Sequence, residues 1–299
     1  MSTRTDIYTR VTDRIIAELE HGVRPWLKPW SAGNTEGRIT RPLRHNGQPY
    51  QGINVLLLWG EAMAKGYASG QWMTFKQAQE IGGHVRKGEH GSLVVYADRF
   101  RKTDTDDTGT EVVQDIPFMK AYTVFNVEQI EDLPTRYYLR DEPAGEPLEL
   151  IQSAEYFFTA TGAVFRHGGN QAYYAPGPDV IQLPPAESFK DAESYAATKA
   201  HELIHWTKHE SRTDRDFKAR RFGDSGYARE ELVAELGAAF LCADLGVSLE
   251  PREDHASYLD HWLKVLREDK RAIFSAAAHA QRAADYLHAL QPAAQAKTA

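Results

Sequence analysis

A single cysteine, Cys242, occurs among the 299 residues, so no intrachain disulfide can form and a thiolate-rich metal site is excluded. Long apolar runs are missing too. The longest uncharged apolar stretch, around Ile53 to Trp59, is far too short to cross a bilayer, and no membrane partner is expected. Met1 to Glu20 is charged throughout and lacks the apolar segment of a secretory leader. Together these absences favour a reducing cytoplasm over an oxidising exterior. At 42% apolar and 26% charged residues, the remaining composition is that of an ordinary soluble globular protein.

The chain is long for a single core, which points to two domains. Its net charge of −7 is uneven: residues 1–102 sum to +6 and residues 103–299 to −13. A basic N-terminal part facing an acidic remainder suggests an acidic partner for the former, with nucleic acid leading.

Ile7, Val11, Ile15, Ile16 and Leu19 recur at helical spacing before His21-Gly22, predicting a first helix. Val23 to Gln51 reads as an irregular arm rich in Pro, Gly and Arg. Ile53 to Ala64 and Phe75 to Ile81 read as helices. Ser92 to Tyr96 and Ala121 to Asn126 are β-type runs, and the acidic turn Asp104 to Gly109 lies between them. The fold class is therefore α+β, with an N-terminal α+β domain at 1–135, a linker at 136–147 and a mainly helical domain at 148–299. In the latter, Ala163 to His167 and Gln171 to Ala175 read as a strand pair joined by Gly168-Gly169-Asn170. Long helical patterns follow at Ser194 to His209, Arg229 to Leu245 and Tyr258 to Leu290.

His201-Glu202-Leu203-Ile204-His205 carries the chemistry. Each helical residue advances about 100°, so His201 and His205 lie roughly 40° apart and one turn along, able to reach one ion. Glu202 sits at the rim of the same face, placed to act as general base on water without ligating the ion. Catalysis of this type needs a third protein ligand. His209 would stand about 12 Å along the axis from His201, too far for the same ion. Glu230-Glu231-Leu232-Val233-Ala234-Glu235 is the better source. It resembles the gluzincin arrangement, in which a downstream helix gives a ligand Glu and, four residues on, an acid that orients a ligand His. Glu231 and Glu235 fit that spacing as ligand and orienting acid, and Glu230 remains a competitor for the ligand position. Two imidazoles and a carboxylate favour zinc, with manganese or another divalent ion also fitting. Tyr174 and Tyr227 are candidate donors to an oxyanion. Tyr173 to Leu183, with Asp179, is a candidate edge strand for an extended peptide.

The arm interleaves cations and aromatics at Trp26, Lys28 and Trp30, and Arg41, Arg44, Tyr50, Trp72, Arg86 and Lys87 continue the pattern along the N-terminal domain. Single-stranded nucleic acid is held by positive grooves and aromatic faces of this kind. Trp59, in an apolar helix, reads instead as core.

Pro25-Trp26, Pro29-Trp30, Asn46-Gly47, Tyr50-Gln51-Gly52-Ile53-Asn54, Trp72 to Ala78 and Gly83 to Glu89 resemble the ArdC family, antirestriction proteins of conjugative plasmids. His201 to Thr207, Tyr227 to Glu235 and Tyr258 to Phe274 resemble that family's C-terminal half. Where the familiar form has Gly after Trp206-Thr207, Lys208 stands here. The resemblance implies an N-terminal domain that binds single-stranded DNA, also found fused to a plasmid primase, and a zincin-like metallopeptidase domain. It implies protection of incoming plasmid DNA from host restriction, with a host restriction-related protein as a candidate target. The alternative is a purely DNA-coating protein whose metal site is structural or catalytically silent. A two-metal nuclease fits poorly, for want of an acidic cluster.

Overall fold

The computed structural model describes residues 6–26, 40–105, 111–138, 147–218, 224–247 and 256–292. Helix α1 (Ile7–Glu20) buries Val11, Ile15, Ile16 and Leu19 along one stripe, as the spacing predicts. Strand β1 (Leu43–Arg44) precedes α2 (Ile53–Lys65), which ends at Gly66 in the left-handed conformation. After β2 (Gln71–Met73), a capping box between Thr74 and Gln77 starts α3 (Phe75–Glu80). Strand β3 (His84–Val85) pairs with β6 (Ile130–Glu131), and between them run β4 (Ser92–Thr105) and β5 (Glu111–Asn126). These last two form a ribbon paired from Ser92 opposite Val124 out to Thr105 opposite Glu111, much longer than the two apolar runs suggest. The main N-terminal sheet has the order β1-β2-β5-β4.

Helix α4 (Pro147–Ala160) leads into β7 (Val164–His167), β8 (Tyr173–Ala175) and β9 (Val180–Leu183). The expected pairing of the first two strands across the Gly-Gly-Asn turn is overturned. β9 lies between them, parallel to β7 and antiparallel to β8. Val180, Ile181 and Leu183 are buried, so the most apolar strand takes the centre. The Gly168 N–H donates to Leu183 O at 2.9 Å rather than closing a hairpin.

Helix α5 (Ala192–Trp206) is buried at every position from Ala196 onward, and α6 (Ser225–Leu245) is buried from Glu230 to Ala243. Helices buried on all sides belong at the centre. Their companions are α7 (Ala256–Glu268) and α8 (Ala272–Ala289). The single long helix expected from Tyr258 to Leu290 is thus two. The Asp269 carboxylate accepts from the Arg271 N–H at 2.9 Å, and Thr12 Oγ1 donates to Lys270 O at 2.7 Å, so the break is satisfied locally and by α1.

The main hydrophobic core runs through both domains, and a smaller cluster around Met73, Val127 and Ile130 lies apart from it in the N-terminal domain. Trp26 meets Trp262 at 6.0 Å between ring centroids, and Trp59 meets Phe240 at the same separation. No helix among the described residues is long and apolar enough to cross a membrane.

Candidate metal centre

Asp191 caps the start of α5 by accepting from the Ser194 N–H, and Asp224 caps α6 by accepting from the Tyr227 N–H. These two helices present His201, His205 and Glu231 to one another. One ligand atom from each lies within 4.8 Å of the others, and all three residues are buried. His201 Nε2 stands 3.6 Å from Glu231 Oε2, and His205 Nε2 stands 3.4 Å from Glu231 Oε1. The two imidazole centroids are 4.9 Å apart. Two imidazoles and one carboxylate converging on a point form the donor set of a divalent-metal site. Between the two adjacent glutamates, Glu231 is the one that faces both ring nitrogens.

Glu230 does different work. Its Oε1 accepts from His205 Nδ1 at 3.0 Å, and Arg215 grips the same carboxylate with Nε at 2.8 Å and Nη2 at 2.9 Å. Arg215 also donates to Ile204 O at 2.9 Å and to Thr207 Oγ1 at 3.1 Å, satisfying groups at the end of α5. A carboxylate behind a ligand histidine fixes which ring nitrogen faces the ion. The sequence pattern assigned the orienting part to Glu235, which is buried one turn beyond Glu231. Glu230, considered only as a rival ligand, was not assigned this orienting part, and Arg215 was missed. The Glu pair itself was a signal for the former, whereas nothing in the irregular segment around Arg215 marks it.

The electrostatics follow from these contacts. Burial opposes charge on His205, but Glu231 and Glu230 outweigh it and lift its pKa to about 9. Burial likewise works against an ionised Glu230, and Arg215 with His205 reverses this, holding it at about 2. Burial resists the charge of Glu231 as well, yet His205 and His201 hold it far below the usual carboxylate range. Arg215 neutralises Glu230, which leaves the Glu231 charge for a cation between the imidazoles.

Glu202 is buried on α5 beside His201. The Tyr227 hydroxyl lies 3.1 Å from that of Tyr258; burial raises its pKa, and the nearby Glu231 carboxylate raises it further. Tyr174 is turned to other work, donating to Asp179 at 2.8 Å and accepting from Arg212 at 3.1 Å. His209 falls past the end of α5 and hydrogen-bonds Ser211 at 2.8 Å.

The residues expected to touch DNA separate into three groups. Trp26 and Trp72 are 0% and 1% exposed, and Tyr50 is buried, so none turns a face to solvent for stacking. Arg41 is buried as well, with Nε and Nη2 on the Asp244 carboxylate at 2.8 and 2.9 Å and its guanidinium over Phe240. Its charge is spent inside the protein, a correction to its place among the phosphate contacts. Arg44, Arg86 and Lys87 are exposed, with Arg86 paired to Glu89. Lys28 and Trp30 lie outside the described residues.

Comparison with known proteins places this geometry in a family. Residues 5–125 match the N-terminal domain of anti-restriction factor ArdC, and residues 152–279 match a zincin-like metallopeptidase domain. Protein y4eC of Sinorhizobium fredii is 42% identical over 98% of this chain and 95% of its own length. The DNA primase TraC of Escherichia coli is 39% identical over 95% of this chain, but the match spans only 27% of TraC. A metal-free crystal structure of the antirestriction protein ArdC from plasmid R388 superposes with a TM-score of 0.80 at 46% identity, covering 95% of this chain and 97% of that one. Its Mn(II)-bound form gives 0.77 at 45% identity, covering 95% and 98%.

Proposed function

Because the chain belongs to the ArdC antirestriction family, we propose that it binds single-stranded DNA and protects incoming conjugative plasmid DNA from host restriction, with a metal-dependent peptidase centre on α5 and α6. The convergence of His201, His205 and Glu231 within 4.8 Å carries the metal-centre part of this reading, and the match to the ArdC family over both domains supports the DNA-protecting part. The division of labour is drawn between residues 1–135 for DNA and 148–299 for hydrolysis, with 136–147 between them.

We assign zinc to the centre first; Mn(II), which the R388 relative binds, suits the same imidazole and carboxylate donors. A divalent ion there supplies Lewis acidity, polarising a carbonyl and making water nucleophilic near neutral pH. The protein's own groups do the rest. Glu202 takes the proton from the attacking water, acting as general base. Glu230, backed by Arg215, keeps His205 in the ligating orientation, and Glu235 is assigned to orient a ligand imidazole as well. Tyr227, beside Glu231, donates to the oxygen on which charge develops, a part for which Tyr174 is already committed elsewhere. A DNA-bound host protein of the restriction system is the substrate class that fits a peptidase tethered to a DNA-binding module.

Conjugation into restriction-proficient and restriction-deficient recipients tests this. Glu202→Gln should abolish protection while metal content and single-strand binding stay at wild-type levels. Full protection from that variant, with metal still bound, would mean that coating DNA suffices and that the metal is structural.

A further inference from the structure

We propose that the cleft between the N-terminal ribbon and helix α8 takes an unpaired base of single-stranded DNA, an assignment that rests on the single-strand reading above and extends the DNA contact from residues 1–135 onto α8 of the C-terminal domain. The cleft has a volume of about 550 Å³, within the range of small-ligand sites. A base still paired within a duplex cannot turn its face into it.

One wall is aliphatic, built from Ile53, Val95 and Met119. The opposite wall is aromatic. Tyr8 of α1 and Phe274 of α8 meet edge to face with centroids 4.7 Å apart, and the Arg271 guanidinium sits 5.0 Å from the Tyr8 centroid. Two polar side chains of the lining, Asn54 and Gln281, are already engaged. Asn54 exchanges two 2.8 Å hydrogen bonds with the Val95 backbone, and Gln281 Oε1 accepts from the Gly52 N–H at 3.2 Å and from Arg41 at 3.0 Å. Flat apolar and aromatic surface therefore dominates the interior, which suits any base because every base has a π-face.

Positive charge flanks this surface. Arg271 is the N-cap residue of α8, an 18-residue helix whose first turn opens on the cleft through Phe274 and Ser275. The helix start itself is already capped by Asp269, whose carboxylate accepts from the Arg271 N–H at 2.9 Å, so the Arg271 guanidinium is the group on this side that would meet a phosphate. On the other side, Val95, Ala97 and Arg99 alternate along one face of β4, so Arg99 stands one step outward from the cleft, with Arg101 a further step away. Arg101 is shared with Asp115 at 3.5 Å. Cations at both ends of an aromatic pocket match a sugar-phosphate backbone crossing it.

A second aromatic row, Tyr96, Phe118 and Tyr122, lies on the opposite face of the ribbon. It competes less well, because Lys120 and Asp98 stand together on that face, Asp98 binding the Tyr96 hydroxyl, and its rings lie on an open surface rather than in a cleft.

The test uses the full chain and fluorescein-labelled oligo-dT, read by anisotropy across a salt series. Ala97 is exposed, so Ala97→Trp fills the cleft without disturbing the core. It should weaken binding roughly tenfold, the scale of losing one stacked base. Arg271→Glu should weaken binding similarly and flatten the salt dependence. Tyr122→Ala should leave affinity unchanged, and metal content should be unaltered in all three. An oligonucleotide carrying 5-iododeoxyuridine should photocrosslink to Tyr8, Phe274 or Met119. Wild-type binding with both cleft variants unaffected, or crosslinks at Tyr96 and Tyr122 instead, would overturn the cleft while leaving single-strand binding intact. If the wild type fails to bind oligo-dT even at low salt, the single-strand reading falls and the cleft assignment with it.

Discussion

Glu230 and Glu231 are chemically identical neighbours on α6, and the roughly 100° step between them divides their work. Glu231 faces both Nε2 atoms, whereas Glu230 faces His205 Nδ1 and Arg215. The sequence made Glu231 a candidate ligand through its spacing to Glu235, but rotation about the helix axis was needed to exclude Glu230. Arg215 was beyond reach because it sits in an irregular segment, 15 positions from its partner. A pH dependence follows from this contact. Glu230 is held at about 2 against an ordinary 4.5, so it stabilises the metal-free fold at neutral pH and loses that contribution as pH falls between those values. The upper bound is roughly 3 kcal/mol. In urea unfolding of the metal-free protein, Glu230→Gln should be less stable than wild type at neutral pH, and the difference should shrink towards about pH 3. Parallel curves for the two proteins would show that Arg215 and His205 do not hold the carboxylate.

At the scale of elements, the distance between α5 and α6 decides whether their ligands meet. Gly237 sits where α6 crosses Ile204, and a Cβ added there would stand 2.8 Å from Ile204 Cδ1. Only a glycine admits so close an approach without displacing its neighbour. Gly237→Val should destabilise the protein by about 1–3 kcal/mol through overpacking, and should weaken metal binding because the two helices part. Thermal melting and calorimetric metal titration check this together; loss of stability with unchanged metal affinity would contradict the spacing argument. Helices α1, α2, α3, α5 and α6 were legible because apolar spacing and stop signals coincide locally. The order of β7, β8 and β9 was not. Its central strand is chosen by burial against α5, a contact that Gly168-Gly169-Asn170 cannot reveal. The division of α7 from α8 was equally hidden, since the charged residues Glu268 to Arg271 could have lain on a solvated helix face.

On the scale of the whole molecule, the two domains are joined by a common core, and this explains where DNA-contact residues were misplaced. Alternating Pro, cation and Trp reads alike whether the Trp faces a nucleic acid or a neighbouring domain. Trp26 packs on Trp262, Arg41 pairs with Asp244, and both are spent holding the N-terminal part to the C-terminal helices. The sequence did expose the metal helix and the family to which the chain belongs, because those signals are short-range or span the whole length. All of the proposed hydrolysis depends on one ion held between α5 and α6. Anomalous diffraction from crystals of the full chain soaked with zinc or manganese tests that directly. One peak per chain is predicted, bound by His201 Nε2, His205 Nε2 and a Glu231 oxygen at about 2.0–2.2 Å. A peak ligated by Glu230 in place of Glu231, or none at the His pair, would contradict the account.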